Sequence, residues 1–209
     1  MRPKPIRNIL FDLGGVLLDL DFSKSITAFK TLGWKEQNLE VSVHADSVFL
    51  GFEVGKYSPR EFRANIRPTL ALSNNDLQID DAWNAMLLGI PDERIAYLKQ
   101  LSVEYQLYLL SNTNEIHINH HNSIFLEKHG YPFHDLFIST FYSYELGLRK
   151  PDLAIFQKVM EKTKIKPEET LFIDDLPQNT AAAAGLGIVT LHIQAGTLLQ
   201  TLPRFLAQN

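Results

Sequence analysis

The stretch Ile9–Leu10–Phe11–Asp12–Leu13–Gly14–Gly15 decides the fold: an apolar run of strand type ends on a carboxylate, and two glycines then allow a tight turn. Three later segments repeat the scheme with different polar endings. Leu107–Tyr108–Leu109–Leu110 leads into Ser111 and Asn112, Leu148–Arg149 into Lys150 and Pro151, and Leu171–Phe172–Ile173 into Asp174 and Asp175. Strand signals are expected over 6–13, 105–110, 136–139, 170–173 and 188–192, alternating with helices over 92–101, 153–163 and 180–185. Such alternation predicts an α/β fold, a doubly wound parallel sheet whose strand ends share one crevice, where open sheets of this kind bind ligands.

The texture changes after Asp21. Residues 21–89 read as helices with polar joints and no strand, hence as an insertion that can sit over the strand ends of a Rossmann-like core of residues 1–20 and 90–209. Ser58–Pro59–Arg60–Glu61 is a helix start, with Ser as N-cap, Pro at the first helical position and Glu three residues after the cap. A further helix is expected over 80–88, closed by Gly89. Trp34, Phe49, Phe52 and Trp83 read as the core of this layer, with one or two free to line a pocket.

Of the 209 residues 45% are hydrophobic and 21% charged, enough to bury a core. The net charge of −4 gives no footprint for nucleic acid or an anionic membrane. The absence of cysteine excludes thiolate metal sites and a cysteine nucleophile. Arg2, Lys4 and Arg7 precede an apolar run, but Asp12, Asp19 and Asp21 interrupt the pattern of a signal peptide, and a cytoplasmic protein is expected.

The strand ends carry the chemistry. Ser111 and Asn112 offer a hydroxyl, an amide and backbone N–H groups suited to phosphoryl oxygens, or an N-cap for the following helix. Lys150 can neutralise charge on a transferring phosphoryl group. Asp174 and Asp175 repel one another unless a cation lies near, and with Asp12 in the same crevice three carboxylates fit a Mg²⁺ site, an ion that prefers oxygen ligands.

This ordered set resembles the haloacid dehalogenase-like hydrolases, mostly Mg²⁺-dependent phosphatases, with the cap inserted just after the first motif. The resemblance implies that Asp12 is the nucleophile forming an aspartyl-phosphate, and that Ser111 and Lys150 hold phosphate. It implies Asp174 and Asp175 as the acidic metal pair, Asp175 binding directly, and the carbonyl of Gly14 as a further ligand. The implied substrate is a small phosphorylated metabolite.

The pattern breaks at Gly14, where phosphatases of the family carry a second aspartate that moves protons. Losing such a group costs about 10²–10⁴ in rate. Three readings stay open. Phe11–Asp12–Leu13–Gly14 and Leu110–Ser111–Asn112–Thr113–Asn114 are similar to a glucose-1-phosphate phosphatase branch with the same glycine, which implies a sugar 1-phosphate whose leaving oxygen departs with little help. A catalytically weak or inactive phosphate-binding relative is the second reading. A 2-haloacid dehalogenase is the third, although its metal-free site would suffer from the Asp174–Asp175 charge. His44 is a candidate substitute acid. His117, His120 and His121, near Glu115, read as a polar helix surface.

Overall fold

The structure is a computed structural model, and it describes residues 5–35 and 48–208. His44 lies outside the described residues. Five parallel strands form the central sheet: β1 (Asn8–Phe11), β4 (Gln106–Ser111), β5 (Ser139–Tyr142), β6 (Thr170–Asp174) and β7 (Val189–His192), in the order β5-β4-β1-β6-β7. β1 is central, and its register sets Phe11 between Leu109 of β4 and Ile173 of β6. The chain runs outward from β1 first on one side and then on the other, so the loops after β1, β4 and β6 meet where the winding reverses.

Alternation along the strands fills both faces. Ile9, Phe11, Leu107, Leu109, Leu171 and Ile173 enter one core with α5 (Asp92–Leu101) and α10 (Leu198–Leu206). Leu10, Tyr108, Leu110 and Phe172 enter the other, against Ile155, Phe156 and Val159 of α8 (Leu153–Thr163) and Ala183 of α9 (Pro177–Ala184).

Among the described residues, the segment after β2 (Asp19–Leu20) carries α1 (Phe22–Thr31), α2 (Val48–Glu53), α3 (Pro59–Leu70) and α4 (Asp76–Asn84). Ser58 caps α3 with a reciprocal Glu61 box, as the sequence predicts. Phe29, Trp34, Phe49, Phe52, Phe62 and Ile66 make a third, aromatic core there, with Phe52 stacked on Phe62 at 4.3 Å between ring centroids. Ile116 of α6 (Glu115–His129) joins that cluster, so the helical layer rests on the helix that follows β4.

Several boundaries differ from expectation. The helix at 80–88 ends at Asn84, and Leu87–Gly89 is instead β3, antiparallel to β2. Residues 133–136 form a 3₁₀ turn that delays β5 to Ser139. The polar-surface reading of the histidines is corrected. His117 and His121 are buried, because positions four apart share the face of α6 that turns inward. His117 stacks on Trp83 at 4.7 Å. Its Nε2–H donates to the Trp83 carbonyl at 3.1 Å, and Nδ1 accepts from Asn114 at 3.1 Å. His121 packs edge-on against Phe133 at 4.7 Å.

Burial lowers both histidines to about 4. A depressed folded pKa gives stability that is present above the unfolded value and lost as pH falls toward the folded one. Global stability should therefore drop between about pH 6.5 and about pH 4, with His117 alone contributing roughly 3 kcal/mol of the loss. His117→Gln should flatten that slope in urea titrations across the interval, and an unchanged slope would contradict the buried neutral ring.

Candidate active site

The site is assembled from the ends of β1, β4 and β6 and the loop before α8. Asp12 leaves β1 with its N–H still donating to Ile173 of the neighbouring strand at 2.9 Å, and its Oδ1 accepts from the N–H of Leu13 at 2.7 Å. Asp174 closes β6 and is fully buried. Lys150 reaches in from the loop with its side chain 1% exposed, and its Nζ lies 2.7 Å from Asp12 Oδ1 and 2.7 Å from Asp174 Oδ2. The carbonyl of Leu110 accepts its third N–H at 3.0 Å. An ammonium has three donors, and all three are used.

Asp174 is held from its other side as well. The N–H of Leu176 donates to Oδ1 at 2.8 Å, and Asn179 Nδ2 donates to both oxygens at 3.0 and 3.1 Å. Asn112 spends its amide on the backbone of Lys150, donating to its carbonyl at 2.9 Å and accepting from its N–H at 2.8 Å. This side chain fixes the lysine loop to β4. Ser111, by contrast, is buried with a single long contact from its hydroxyl, 3.5 Å to the carbonyl of Asn112, which leaves it available to a ligand.

Charge is unbalanced in this cluster. Burial pushes the Asp12 carboxyl up to about 7, Lys150 pulling it down and Asp174 adding to the rise. Burial also raises Asp175, and Asp174 again adds to the effect. Burial works against the Lys150 ammonium, but Asp12 and Asp174 outweigh it and hold its pKa above the ordinary lysine value. Asp12, Asp174 and Asp175 each offer an oxygen within 4.8 Å of the others. Three carboxylates against one ammonium suit a hard divalent cation, so the donor set fits Mg²⁺.

The two glycines after β1 are constrained to different degrees. Gly15 has φ +77°, and a Cβ there would lie 2.2 Å from Asp175 Oδ2. A Cβ on Gly14 would lie 2.7 Å from Leu20 Cδ1, so an apolar side chain fills the space an acid at position 14 would enter.

In front of the cluster is a cavity of about 650 Å³ between the sheet ends and the helical layer. Ser111, Asn112 and Lys150 line its floor, and Phe49, Trp83 and Met86 line its roof. The wall also holds Glu53 and Arg149, an ion pair at 3.1 Å. Sequence reading gave neither of these a role: the two lie 96 positions apart, and no local pattern joins them. Asn179 was equally silent, its only signal being its place one turn after the Asp174–Asp175 pair.

A buried lysine shared by carboxylates at neighbouring strand ends, beneath a helical layer, is a ligand site at the switch point of a doubly wound sheet. Residues 6–187 match the haloacid dehalogenase-like hydrolase family, and the chain belongs to that family. It is similar to the D-ribitol-5-phosphate phosphatase of Bacteroides thetaiotaomicron, 31% identical over 91% of this chain and 93% of the relative. Its fold is similar to a haloacid dehalogenase-family enzyme of the same organism solved with magnesium and inorganic phosphate. That likeness has a TM-score of 0.82 and 41% identity over 91% of this chain and 96% of the other. A haloacid dehalogenase-like hydrolase from Porphyromonas gingivalis superposes with a TM-score of 0.90 and 34% identity over 99% of this chain and 100% of the other. The chain is accordingly an enzyme of the phosphoric monoester hydrolase kind. Among the described residues no helix is long and apolar enough to cross a membrane.

Gly15→Ala tests the packing of Asp175. Strain at a positive φ should cost about 1 kcal/mol in thermal unfolding. Displacement of the carboxylate should weaken Mg²⁺ binding at least tenfold by calorimetry, and unchanged binding would show that Asp175 does not depend on this contact.

Proposed function

We propose that this chain is a Mg²⁺-dependent phosphatase acting on a small phosphorylated metabolite through an aspartyl-phosphate on Asp12. The observation that carries the reading is the buried ammonium of Lys150, 2.7 Å from both Asp12 and Asp174, with the weakly bonded hydroxyl of Ser111 also at the cavity floor. Asp12 attacks phosphorus in line with the leaving oxygen, and its Oδ1 is aimed by the N–H of Leu13. Lys150 keeps that carboxylate in place and offsets charge on the phosphoryl oxygens. Ser111 donates to one of those oxygens, and Asn112 contributes by holding the Lys150 loop.

Asp12, the Gly14 carbonyl and Asp175 would hold Mg²⁺, with Asp174 supporting from behind. Asp175 is the better direct ligand because the oxygens of Asp174 are already taken by Lys150, Leu176 and Asn179. When bound, the ion supplies positive charge to a phosphoryl oxygen and lowers the repulsion between the carboxylates. Residues 21–89 act as the cap domain, which excludes bulk water and reads the rest of the substrate.

A phosphorylated sugar or polyol is the substrate class, with sugar 1-phosphates included. The resemblance of the Asp12 and Ser111 segments supports it, as does the similarity to the D-ribitol-5-phosphate phosphatase of Bacteroides. The leucine packed where an acid would stand favours one second reading, a phosphate-binding relative with slow turnover.

The test is a phosphate-ester panel containing sugar 1-phosphates and ribitol 5-phosphate, run with Mg²⁺ and with chelator. The wild type should release phosphate only with the ion, and Asp12→Asn should lose at least 10³-fold while remaining folded by circular dichroism, since Asp174 and the Leu110 carbonyl still hold Lys150. Turnover by Asp12→Asn at wild-type rates would remove the nucleophile assignment. Binding of inorganic phosphate without turnover of any ester would favour the second reading.

A further inference from the structure

Glycine at position 14, with the end of Leu20 over it, has no side chain to give a leaving oxygen a proton, so the cavity lining is the place for another donor. The described residues lining that cavity include four whose side chains can carry a proton: Glu53, His117, Arg149 and Lys150. Arginine does not release one in a protein. Lys150 has all three N–H groups engaged by Asp12, Asp174 and Leu110. His117 is a neutral ring with both nitrogens occupied, one by the Trp83 carbonyl and one by Asn114. Glu53 remains.

Its placement is firm for a residue on the helical layer. Glu53 ends α2, and its carbonyl accepts from the Ser143 hydroxyl at 2.6 Å, while the same hydroxyl accepts from the N–H of Thr113 at 2.9 Å, just past the phosphate-facing end of β4. Two residues on, a Cβ at Gly55 would lie 2.2 Å from the carbonyl of Tyr144, so backbone meets backbone there. The carboxylate uses Oε2 for Arg149 at 3.1 Å, and Oε1 meets no protein donor among the described residues. Burial pushes the carboxyl up, and Arg149 pulls it back. It can therefore hold a proton more readily than a surface glutamate and still be ionised after giving it away.

We infer that Glu53 is the group that protonates the leaving oxygen, in place of the missing side chain at position 14. This rests on the phosphatase reading above. As the Asp12–phosphorus bond forms and the ester P–O bond breaks, the Glu53 proton passes to the departing oxygen, which leaves as a neutral alcohol. Glu53 is then a carboxylate paired with Arg149. In the second half, water attacks phosphorus, its proton goes to Glu53, and the Asp12–phosphorus bond breaks to give inorganic phosphate and the starting enzyme. No further reactant is needed.

The experiment compares kcat/KM of the wild type and Glu53→Gln, with Mg²⁺, on p-nitrophenyl phosphate and on ribitol 5-phosphate. This constant covers events only through alcohol release. A nitrophenolate leaves without a proton and an alkoxide does not, so Glu53→Gln should lose at least 100-fold on the alkyl ester and less than 5-fold on the aryl ester. On the aryl ester kcat should fall while a burst of nitrophenol appears, because water attack lacks its base. Glu53→Ala should regain alkyl activity with added formate, which guards against a variant that is merely misfolded. Equal losses on both esters, or no loss on the alkyl ester, would overturn the assignment. A wild type inert on every ester would instead overturn the phosphatase reading and this inference with it.

Discussion

One buried ammonium governs the arrangement of this molecule. Lys150 places its Nζ between Asp12 and Asp174, 2.7 Å from each, and gives its last donor to the backbone of β4. The two carboxylates terminate adjacent strands, β1 and β6, so two ion pairs and the hydrogen bond to β4 tie three strands to one loop. Desolvating those charges is costly, and removing one partner of such a cluster typically destabilises by about 3–5 kcal/mol. Asn112 and Asn179 lock the positions of lysine and aspartate from outside. Burial raises Asp12 and Asp175, Asp174 adds to both rises, and the surplus negative charge suits the cluster to a divalent cation.

The second constraint is space around the two glycines. Gly15 is required because Asp175 lies against its backbone and its φ is positive. Gly14 has no such conformational need; the end of the Leu20 side chain lies over it. The same turn therefore favours the metal side of the chemistry and withholds a proton carrier. The helical layer brings Glu53 to the cavity, and the core fixes it through Ser143 and Arg149.

Much of this was legible in the chain. Local hydrophobic runs with a polar ending identify β1, β4 and β6, and the amphipathic stretch over 153–163 became α8 without change. The helix start at Ser58 was also readable, because capping is a matter of neighbouring residues. The failures share a cause in long-range packing. β3 is three residues long and exists only because β2 lies beside it. His117 and His121 look polar in sequence, yet α6 buries that face beneath Trp83 and Phe133. Contacts such as Leu20 on Gly14 or Glu53 on Arg149 leave no trace in local spacing.

The account stands on acid, hydroxyl and ammonium groups gathering about one phosphoryl position. A crystal structure grown with Mg²⁺ and beryllium trifluoride, a mimic of a transferred phosphoryl group, tests it most directly. The expected result is a covalent adduct on Asp12, fluorines facing Lys150 and Ser111, and the ion shared with Asp175. An adduct on another residue, or an ion bound away from Asp12 and Asp175, would contradict it.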